Sequence, residues 1–534
     1  MNVHLYDTTL RDGAQREGIA FSVEDKIRIA IKLDEFGIHF IEGGWPGANP
    51  KDTEFFQRMS TVTLSNSTLV AFGSTRRANT AVEDDANLQD LLKSGAKVIT
   101  LVGKGSAQHV TRILKTSLDE NLAMIVDSIK YLKSKGLRVF FDAEHFFDGY
   151  KANPEYSLRT IESAAEAGAD CVILCDTNGG AMPDEVTAIL RASKKKCKTS
   201  LGIHTHNDSD LAVANTLVAV QAGATQVQGT INGYGERCGN ANLCSIIPAL
   251  KLKMDIDCLT EGQLAMITEV SRYVSEVANL AHDSHLPYVG SSAFGHKAGL
   301  HISAMVKSEK SYQHVEPALV GNSSRILVSE LAGTDTIIYK AKERGLDFAA
   351  QSAEAKKILK EIKALESQGF TFDDAEASFE LLLHRSQPDY HPPFELVDFM
   401  VIVERHRRHP TVTEEGALSE AMVKVRVGDA IQHTAAEGNG PVNALDEALR
   451  KALTLFYPEV LAVRLIDYKV RILEESEGTE AKVRVLIESS DGEQEWRTVG
   501  SSTNIIQASW IALADSMEYW LVGQRLGNNR KRKG

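Results

Sequence analysis

The feature that most restricts this chain is a recurrence in its first half. A short, β-rich apolar run is followed by an amphipathic stretch with helical spacing, roughly every 30 residues. The candidate strands are Val3–Thr8, His39–Gly43, Leu69–Gly73, Val98–Val102, Arg138–Asp142, Cys171–Cys175, Leu201–Thr205 and Gln226–Ile231. Helical stretches such as Val23–Phe36, Leu118–Lys135, Pro183–Lys196 and Asp210–Ala222 lie between them. Gly37, Gly136, Gly168 and Gly223 each stand where a helix would end before the next strand. Eight such units in about 255 residues predict an α/β fold, a closed parallel (β/α)8 barrel. An open doubly wound sheet is the alternative, weakened because no Gly-x-Gly-x-x-Gly fingerprint follows the first strand.

The chain has 534 residues, about twice what one barrel needs. The pattern changes after residue 260, which sets the predicted barrel at 1–260. Helical segments dominate from Thr260 to about Ala375, with a Gly- and Ser-containing stretch at 289–299. This gives a helical subdomain at 261–385. A β-rich region is expected from near Phe379, with linker signals at Gln387–Pro393. Strands are expected at Phe399–Glu404, Ala421–Val427, Val463–Leu473 and Lys482–Glu488, with helices at Asn443–Leu455 and Ile505–Leu521. Residues 386–524 therefore read as an α+β domain. Residues 525–534 form a basic tail carrying Arg530, Lys531, Arg532 and Lys533, read as solvated and disordered. The only internal repeat visible is the barrel unit.

A net charge of −13 argues against nucleic acid or an anionic membrane as partner. No apolar run approaches the length of a membrane span. Six cysteines in a chain of this length do not make a disulfide framework. Chemistry-bearing residues begin at Asp7, so no cleavable signal is expected and the chain reads as cytoplasmic.

Three segments carry chemistry. The seventh strand reads Leu201-Gly-Ile-His204-Thr-His206-Asn-Asp. Two His at i and i+2 on a strand share one side, and inward residues at a strand's carboxyl end face a barrel's mouth. Paired imidazoles there suit a metal, although packed or surface His pairs are also common. The first strand ends Asp7-Thr-Thr-Leu-Arg11-Asp12-Gly13. Strands one and seven lie near each other in an eight-stranded barrel, so Asp12 can complete a site of two imidazoles and one carboxylate; a plain Arg–Asp ion pair is the blander reading. The eighth strand leads into Asn232-Gly-Tyr-Gly-Glu-Arg-Cys238-Gly-Asn240, where three glycines imply a tight loop with backbone near a ligand. Asn240 offers a further oxygen ligand. Cys238 is read as a small packed residue rather than a nucleophile or ligand.

Together these three motifs, in this order, resemble the family of 2-isopropylmalate, homocitrate and citramalate synthases, which shares its barrel with the HMG-CoA lyases. The resemblance covers nearly the whole chain, because the C-terminal part is similar to the regulatory domain of these synthases. It implies condensation of acetyl-CoA with a 2-keto acid, assisted by a divalent metal. Two imidazoles and a carboxylate leave Mg, Mn, Zn and Co all open. It also implies a homodimer. Two segments, Glu42-Gly-Gly-Trp45-Pro-Gly-Ala-Asn-Pro50 and Phe141-Asp142-Ala-Glu144-His-Phe-Phe-Asp148-Gly-Tyr150, look like the citramalate branch. Pyruvate is then the expected keto acid, with 2-isopropylmalate synthase as the alternative reading and homocitrate synthase behind it.

Residue by residue, the resemblance assigns Asp12, His204, His206 and Asn240 to the metal and Arg11 to the charge on the keto oxygen. Glu144 matches a functional carboxylate near the substrate, and Thr177 a contact to the keto acid's carboxylate. Asp142 and Leu101 are expected pocket walls. Gly295-His-Lys-Ala-Gly-Leu-His301 resembles the segment that delivers a His to the acetyl-CoA-activating machinery, with Leu300 in place of a more usual Ile, and Tyr312 matches a Tyr that assists it. A helix-face role is the alternative for His301. In the C-terminal domain, the Gly-containing stretches His433–Pro441 and Val499–Asn504 each precede a helix, and either bind an amino acid's carboxylate or are simple turns. Isoleucine is the expected effector, since a citramalate product feeds isoleucine synthesis.

Overall fold

A computed structural model describes the whole chain except residues 1, 298, 330, 345, 347–352, 405–417, 474–479 and 532–534. It divides into two compact units, residues 1–294 with 313–324, and residues 295–312 with 325–534.

The first unit is built on eight parallel strands: β1 (His4–Asp7), β2 (Phe40–Gly44), β3 (Thr68–Ser74), β4 (Val98–Lys104), β5 (Arg138–Glu144), β6 (Cys171–Asp176), β7 (Ser200–Thr205) and β8 (Gln226–Gly229). Each pairs with its neighbour in sequence order, and β1 also pairs with β8 in the register His4↔Gln226 to Asp7↔Gly229, closing the barrel. Alternation along the strands sorts the side chains. Tyr6, Phe40, Val70, Val98, Phe140, Cys171, Ile173 and Cys175 form one buried cluster inside the barrel. A much larger cluster lies between strands and helices, with Leu5, Ile41, Ile99, Leu101, Phe141 and Ile203 among its members. Next along the inward faces come Thr8, Glu42, Thr100, Asp142, His204 and Gln228, all buried. The strands thus lay an apolar plug under a polar layer at their carboxyl ends.

The helices follow their sequence signals. Helix Val23–Phe36 opens with a capping box between Ser22 and Asp25 and closes on Gly37 at φ 95°. Its inner face buries Ile27, Ala30, Leu33 and Phe36. It also buries Lys26, whose ammonium pairs with Asp52 and donates to the Gly43 carbonyl at 3.0 Å. Asp52 in turn accepts from the Trp45 amide at 2.9 Å, so this pair shapes the turn that follows β2. Lys26→Met leaves Asp52 buried without its cation and should lower unfolding free energy by about 3 kcal/mol in a denaturant titration.

The second unit opens with a two-stranded parallel pair, β9 (Gly295–His296) and β10 (Arg325–Ile326). Helices Gly299–Lys307, Thr334–Glu343, Ala353–Ser367 and Glu376–Arg385 belong to it. Phe379, where a β-rich region was expected to start, is buried in the last of these helices. Then the chain runs twice through three antiparallel strands and a helix. The first pass is β11 (Glu395–Glu404), β12 (Leu418–Val427), β13 (Ala430–Gly438) and helix Pro441–Leu453; the second is β14 (Arg464–Ile472), β15 (Val483–Ser490), β16 (Glu495–Ser502) and helix Ile505–Lys531.

This duplication is a second internal repeat beside the barrel unit, and it bears out the half-repeat suggested by the matching positions of His433–Pro441 and Val499–Asn504 before their helices. The third strand of each half was missed for a physical reason. Ala430–Gly438 holds few β-branched residues and is defined by its partner, pairing along all of β12 from Ser419↔Gly438 to Val427↔Ala430 across a turn with Gly428 at φ 58°. The expected loop at His433–Pro441 is therefore mostly strand, as is Val499–Ser502 in β16. Gly438 and Gly500 lie where their helices cross the strand, since a Cβ would strike the backbone of Ala444 or Ala508. The final helix continues through Arg530 and Lys531, so the basic tail is helical that far. Arg532 and Lys533 lie outside the described residues.

Candidate metal centre at the carboxyl end of the barrel

The turn after β1 is built from its own side chains. The buried Asp7 carboxylate accepts from the Thr9 amide at 2.9 Å and the Thr9 hydroxyl at 2.8 Å. That hydroxyl accepts from the Ile231 amide at 2.9 Å, tying the turn to the end of β8. The amides of Arg11 and Gly13 both donate to the Thr8 carbonyl. This tight turn leaves Arg11 and Asp12 projecting over the polar layer.

Asp12, His204 and His206 are brought together, with one ligand atom of each within 4.8 Å of the others and all three buried. Asp12 Oδ2 lies 3.3 Å from His204 Nε2 and 3.8 Å from His206 Nε2. Asn240 joins them, its Nδ2 2.8 Å from Asp12 Oδ2 and 3.4 Å from His204 Nε2. The loop 232–240 can only do this with glycines in it. A Cβ on Gly235 would overlap the Asn240 amide, and one on Gly239 (φ 92°) would overlap the Gly233 carbonyl. Cys238, expected to be packed, is exposed on this loop and is not part of the cluster.

Arg11 is held from three sides. Its Nε donates to Glu42 Oε1 at 2.5 Å, its Nη1 lies 3.4 Å from Asp12 Oδ1, and its guanidinium carbon stands 3.9 Å from the centre of the Phe72 ring. Glu42 is fully buried and also accepts from the Tyr6 and Thr8 hydroxyls. Trp45 packs edge-on against Phe72 with ring centroids 5.5 Å apart and donates to Asn87 at 2.7 Å. The segment after β2 is thus coupled to Arg11 through one aromatic ring.

The remaining sequence-predicted residues divide. Glu144 ends β5 and is ion-paired with Lys104 of β4. Thr177 follows β6, and its hydroxyl accepts from the His145 amide at 2.8 Å. Asp142 is inward and buried, accepting from Gln228 at 3.1 Å. Leu101 is a correction: it belongs to the core between strands and helices, and the inward neighbours on β4 are Thr100 and Val102, so it is no pocket wall. His301 and Tyr312 lie in the second unit, where their rings stack with centroids 4.2 Å apart. Sequence reading missed Glu42, Tyr6, Lys104 and Gln228 as site residues. The signal that could have found them is strand parity, since Glu42 and Gln228 stand two residues beyond inward positions.

The electrostatics favour a cation. Burial alone would raise the Asp12 carboxyl, but the Arg11 guanidinium and the two imidazoles outweigh it and hold Asp12 well below the usual range. Burial pushes Asp7 and Asp142 up to about 7. His204 is raised, because its bond to Asp12 overcomes desolvation. His206 is lowered to about 4, first by desolvation and then by His204. Two polar atoms at the cluster are buried without a partner among the described residues, Asn240 Oδ1 and His206 Nδ1. With the Asn240 amide turned so that its oxygen rather than Nδ2 faces Asp12, an amide oxygen, a carboxylate and two ring nitrogens make a donor set that fits a divalent ion.

His206 also predicts a pH effect on stability. Its folded value lies below its unfolded 6.5, so the unfolded chain takes up a proton first as pH falls. No penalty exists above pH 6.5, and it grows as pH falls from 6.5 to about 4, to at most about 3 kcal/mol. His206→Gln should therefore flatten the acid side of the metal-free stability curve relative to wild type, measured by chemical denaturation at a series of pH values.

A closed barrel with this cluster at its mouth defines a class of barrel enzymes that work through a bound divalent ion, and residues 2–274 match the HMGL-like family. Residues 288–369 match the homocitrate synthase post-HMGL domain-like family and residues 375–521 the LeuA allosteric (dimerisation) domain. The chain is 54% identical to an (R)-citramalate synthase of Geobacter sulfurreducens, covering 97% of each chain. It is 53% identical to an (R)-citramalate synthase of Aquifex aeolicus, over 97% of this chain and 98% of that one. A 2-isopropylmalate synthase of Methanocaldococcus jannaschii is 31% identical over 96% of this chain and 94% of its own length. The chain belongs to the (R)-citramalate synthase family.

Proposed function

We propose that this chain condenses acetyl-CoA with pyruvate and water, giving (R)-citramalate and CoA, as a step toward isoleucine. The observation that carries the reading is the 45–54% identity to five (R)-citramalate synthases over nearly the whole chain, beside which stands the buried Asp12–His204–His206 cluster. Asp12, His204, His206 and the Asn240 oxygen would hold the divalent ion. When bound, such an ion polarises the keto carbonyl of a chelating 2-keto acid.

The chain's own residues do the rest. Arg11, fixed by Glu42 and Phe72, offers a preorganised positive charge where the alkoxide oxygen develops. Glu144 stands at the end of β5, where its ion pair with Lys104 orients the carboxylate for proton handling. The Thr177 hydroxyl, after β6, would hydrogen-bond the keto acid's carboxylate. His301, with Tyr312 stacked on it, would take the proton from the acetyl-CoA methyl. Pyruvate is selected sterically, because an apolar wall discriminates by only about 1–3 kcal/mol per methylene while a filled one excludes. The coupling of Trp45 to Phe72 and Arg11 supports the segment after β2 as part of that wall.

The second unit would dimerise and bind isoleucine. It contains a cavity of about 520 Å³ whose lining includes apolar Val442, Leu461 and Val463, which suit an aliphatic side chain, beside the ion pair of Asp446 and Arg450. Among the described residues no helix is long and apolar enough to cross a membrane, and all six cysteines are free, which fits a reducing cytoplasm.

Steady-state CoA release tests the substrate: pyruvate should exceed 2-ketoisovalerate in kcat/KM by at least about 100-fold, and the reverse preference would make the chain a 2-isopropylmalate synthase. Arg11→Gln should lower kcat by about 100- to 1,000-fold with little change in bound metal. Asp12→Ala and His204→Ala should each lose the metal, read by elemental analysis. Isoleucine at millimolar concentration should inhibit and give a calorimetric binding signal, and absence of both would refute the effector assignment.

A further inference from the structure

The side-chain amide of Gln228 on β8 stands between two buried groups of the polar layer. Its Nε2 donates to Asp142 Oδ1 at 3.1 Å, and its Oε1 lies 2.9 Å from His204 Nδ1. Gln228 has no exposed surface, while Asp142 and His204 are 3% and 6% exposed, so water does not substitute for either bond. An amide has one donating and one accepting end, and here the two ends are not interchangeable. The NH2 end faces Asp142 Oδ1, which accepts from it whether the carboxyl is ionised or carries its proton on Oδ2. The carbonyl end must then face the imidazole, and His204 Nδ1 must carry the hydrogen. The lone pair is left on Nε2, the nitrogen 3.3 Å from Asp12 Oδ2.

We infer that Gln228, oriented by Asp142, is a positioning residue that selects the metal-binding tautomer of His204. The inference rests on the reading of Asp12, His204 and His206 as metal ligands. It gives Asp142 a role other than pocket wall, as the group that fixes which way the amide points. It also separates the two imidazoles. His204 is held by its far nitrogen, whereas His206 Nδ1 is buried with no partner among the described residues, so nothing on β8 selects the tautomer of His206. A neutral amide acceptor orients the ring without holding a second proton on it, which leaves Nε2 open to a cation.

The test uses the full chain, stripped of metal with a chelator, with Mn²⁺ as the probe. Mn²⁺ affinity is read by electron paramagnetic resonance for wild type, Gln228→Leu and Gln228→Glu, with folding checked by circular dichroism. The His204 tautomer is read from ¹⁵N-histidine spectra at alkaline pH, where the ring is neutral, and assigned with His204→Gln. Wild type should show hydrogen on Nδ1. Gln228→Leu should show a tautomer mixture and bind Mn²⁺ about 10- to 100-fold more weakly. Gln228→Glu keeps an acceptor toward Nδ1 and should stay within a few-fold of wild type, with the Nδ1–H signature retained. A space-filling role for Gln228 gives the opposite order, because Glu adds a buried charge beside Asp142 and Leu does not. Should Gln228→Leu fail to fold, Gln228→Met carries the same expectation. Unchanged Mn²⁺ affinity and an unchanged His204 tautomer in the apolar variant overturn the inference. Failure of wild type to bind Mn²⁺ overturns the metal reading itself.

Discussion

The pairing of β1 with β8 is the contact on which the rest of the site depends. Four residue pairs, His4↔Gln226 to Asp7↔Gly229, join the first strand to the last and turn an open sheet into a barrel. Only then does the turn after β1 reach the end of β8, where the Thr9 hydroxyl meets the Ile231 amide. Only then do Asp12 and Asn240, 228 residues apart in sequence, share a hydrogen bond. A parallel barrel sends every strand's carboxyl end to the same face, so the turns after β1, β7 and β8 must converge there.

What converges is unusual for a buried place. Asp7, Asp12, Glu42 and Asp142 lie together in the upper barrel with Arg11 as the fixed cation. Carboxylates withdrawn from water are costly unless paired. The chain meets that cost by distributing donors: Thr9 to Asp7, Tyr6 and Thr8 to Glu42, Gln228 to Asp142, and Asn240 to Asp12, with the Arg11 guanidinium beside it. The apolar plug of Tyr6, Phe40, Val70, Phe140 and Ile173 beneath supplies the low dielectric that makes each of these contacts strong. A divalent ion at Asp12 would complete the neutralisation that Arg11 begins.

Legibility in the sequence followed the range of the signal. The barrel was readable because each strand–helix unit writes its own pattern, ending in Gly37 or Gly223 with left-handed backbone. Asp12, His204, His206 and Asn240 were readable because they sit in short motifs whose spacing implies one face or one loop. Leu101 was misplaced because a run of apolar residues on β4 hides which parity faces inward, and that is settled by the register with β5. β13 and β16 were invisible because their strand character comes from cross-strand pairing and a covering helix rather than from their own composition.

By itself, then, the sequence determined the element order of the barrel, the residue types of the Asp12–His204–His206 cluster and the family to which the chain belongs, since each is encoded within a few adjacent residues. The tertiary structure alone decided which of those residues meet and how they are held. It placed Glu42 and Phe72 against Arg11, Lys104 against Glu144, and the Gln228 amide between Asp142 and His204. These contacts join strands that are distant in the chain, and no local pattern records them, because hydrogen-bond direction and strand parity are properties of the closed barrel.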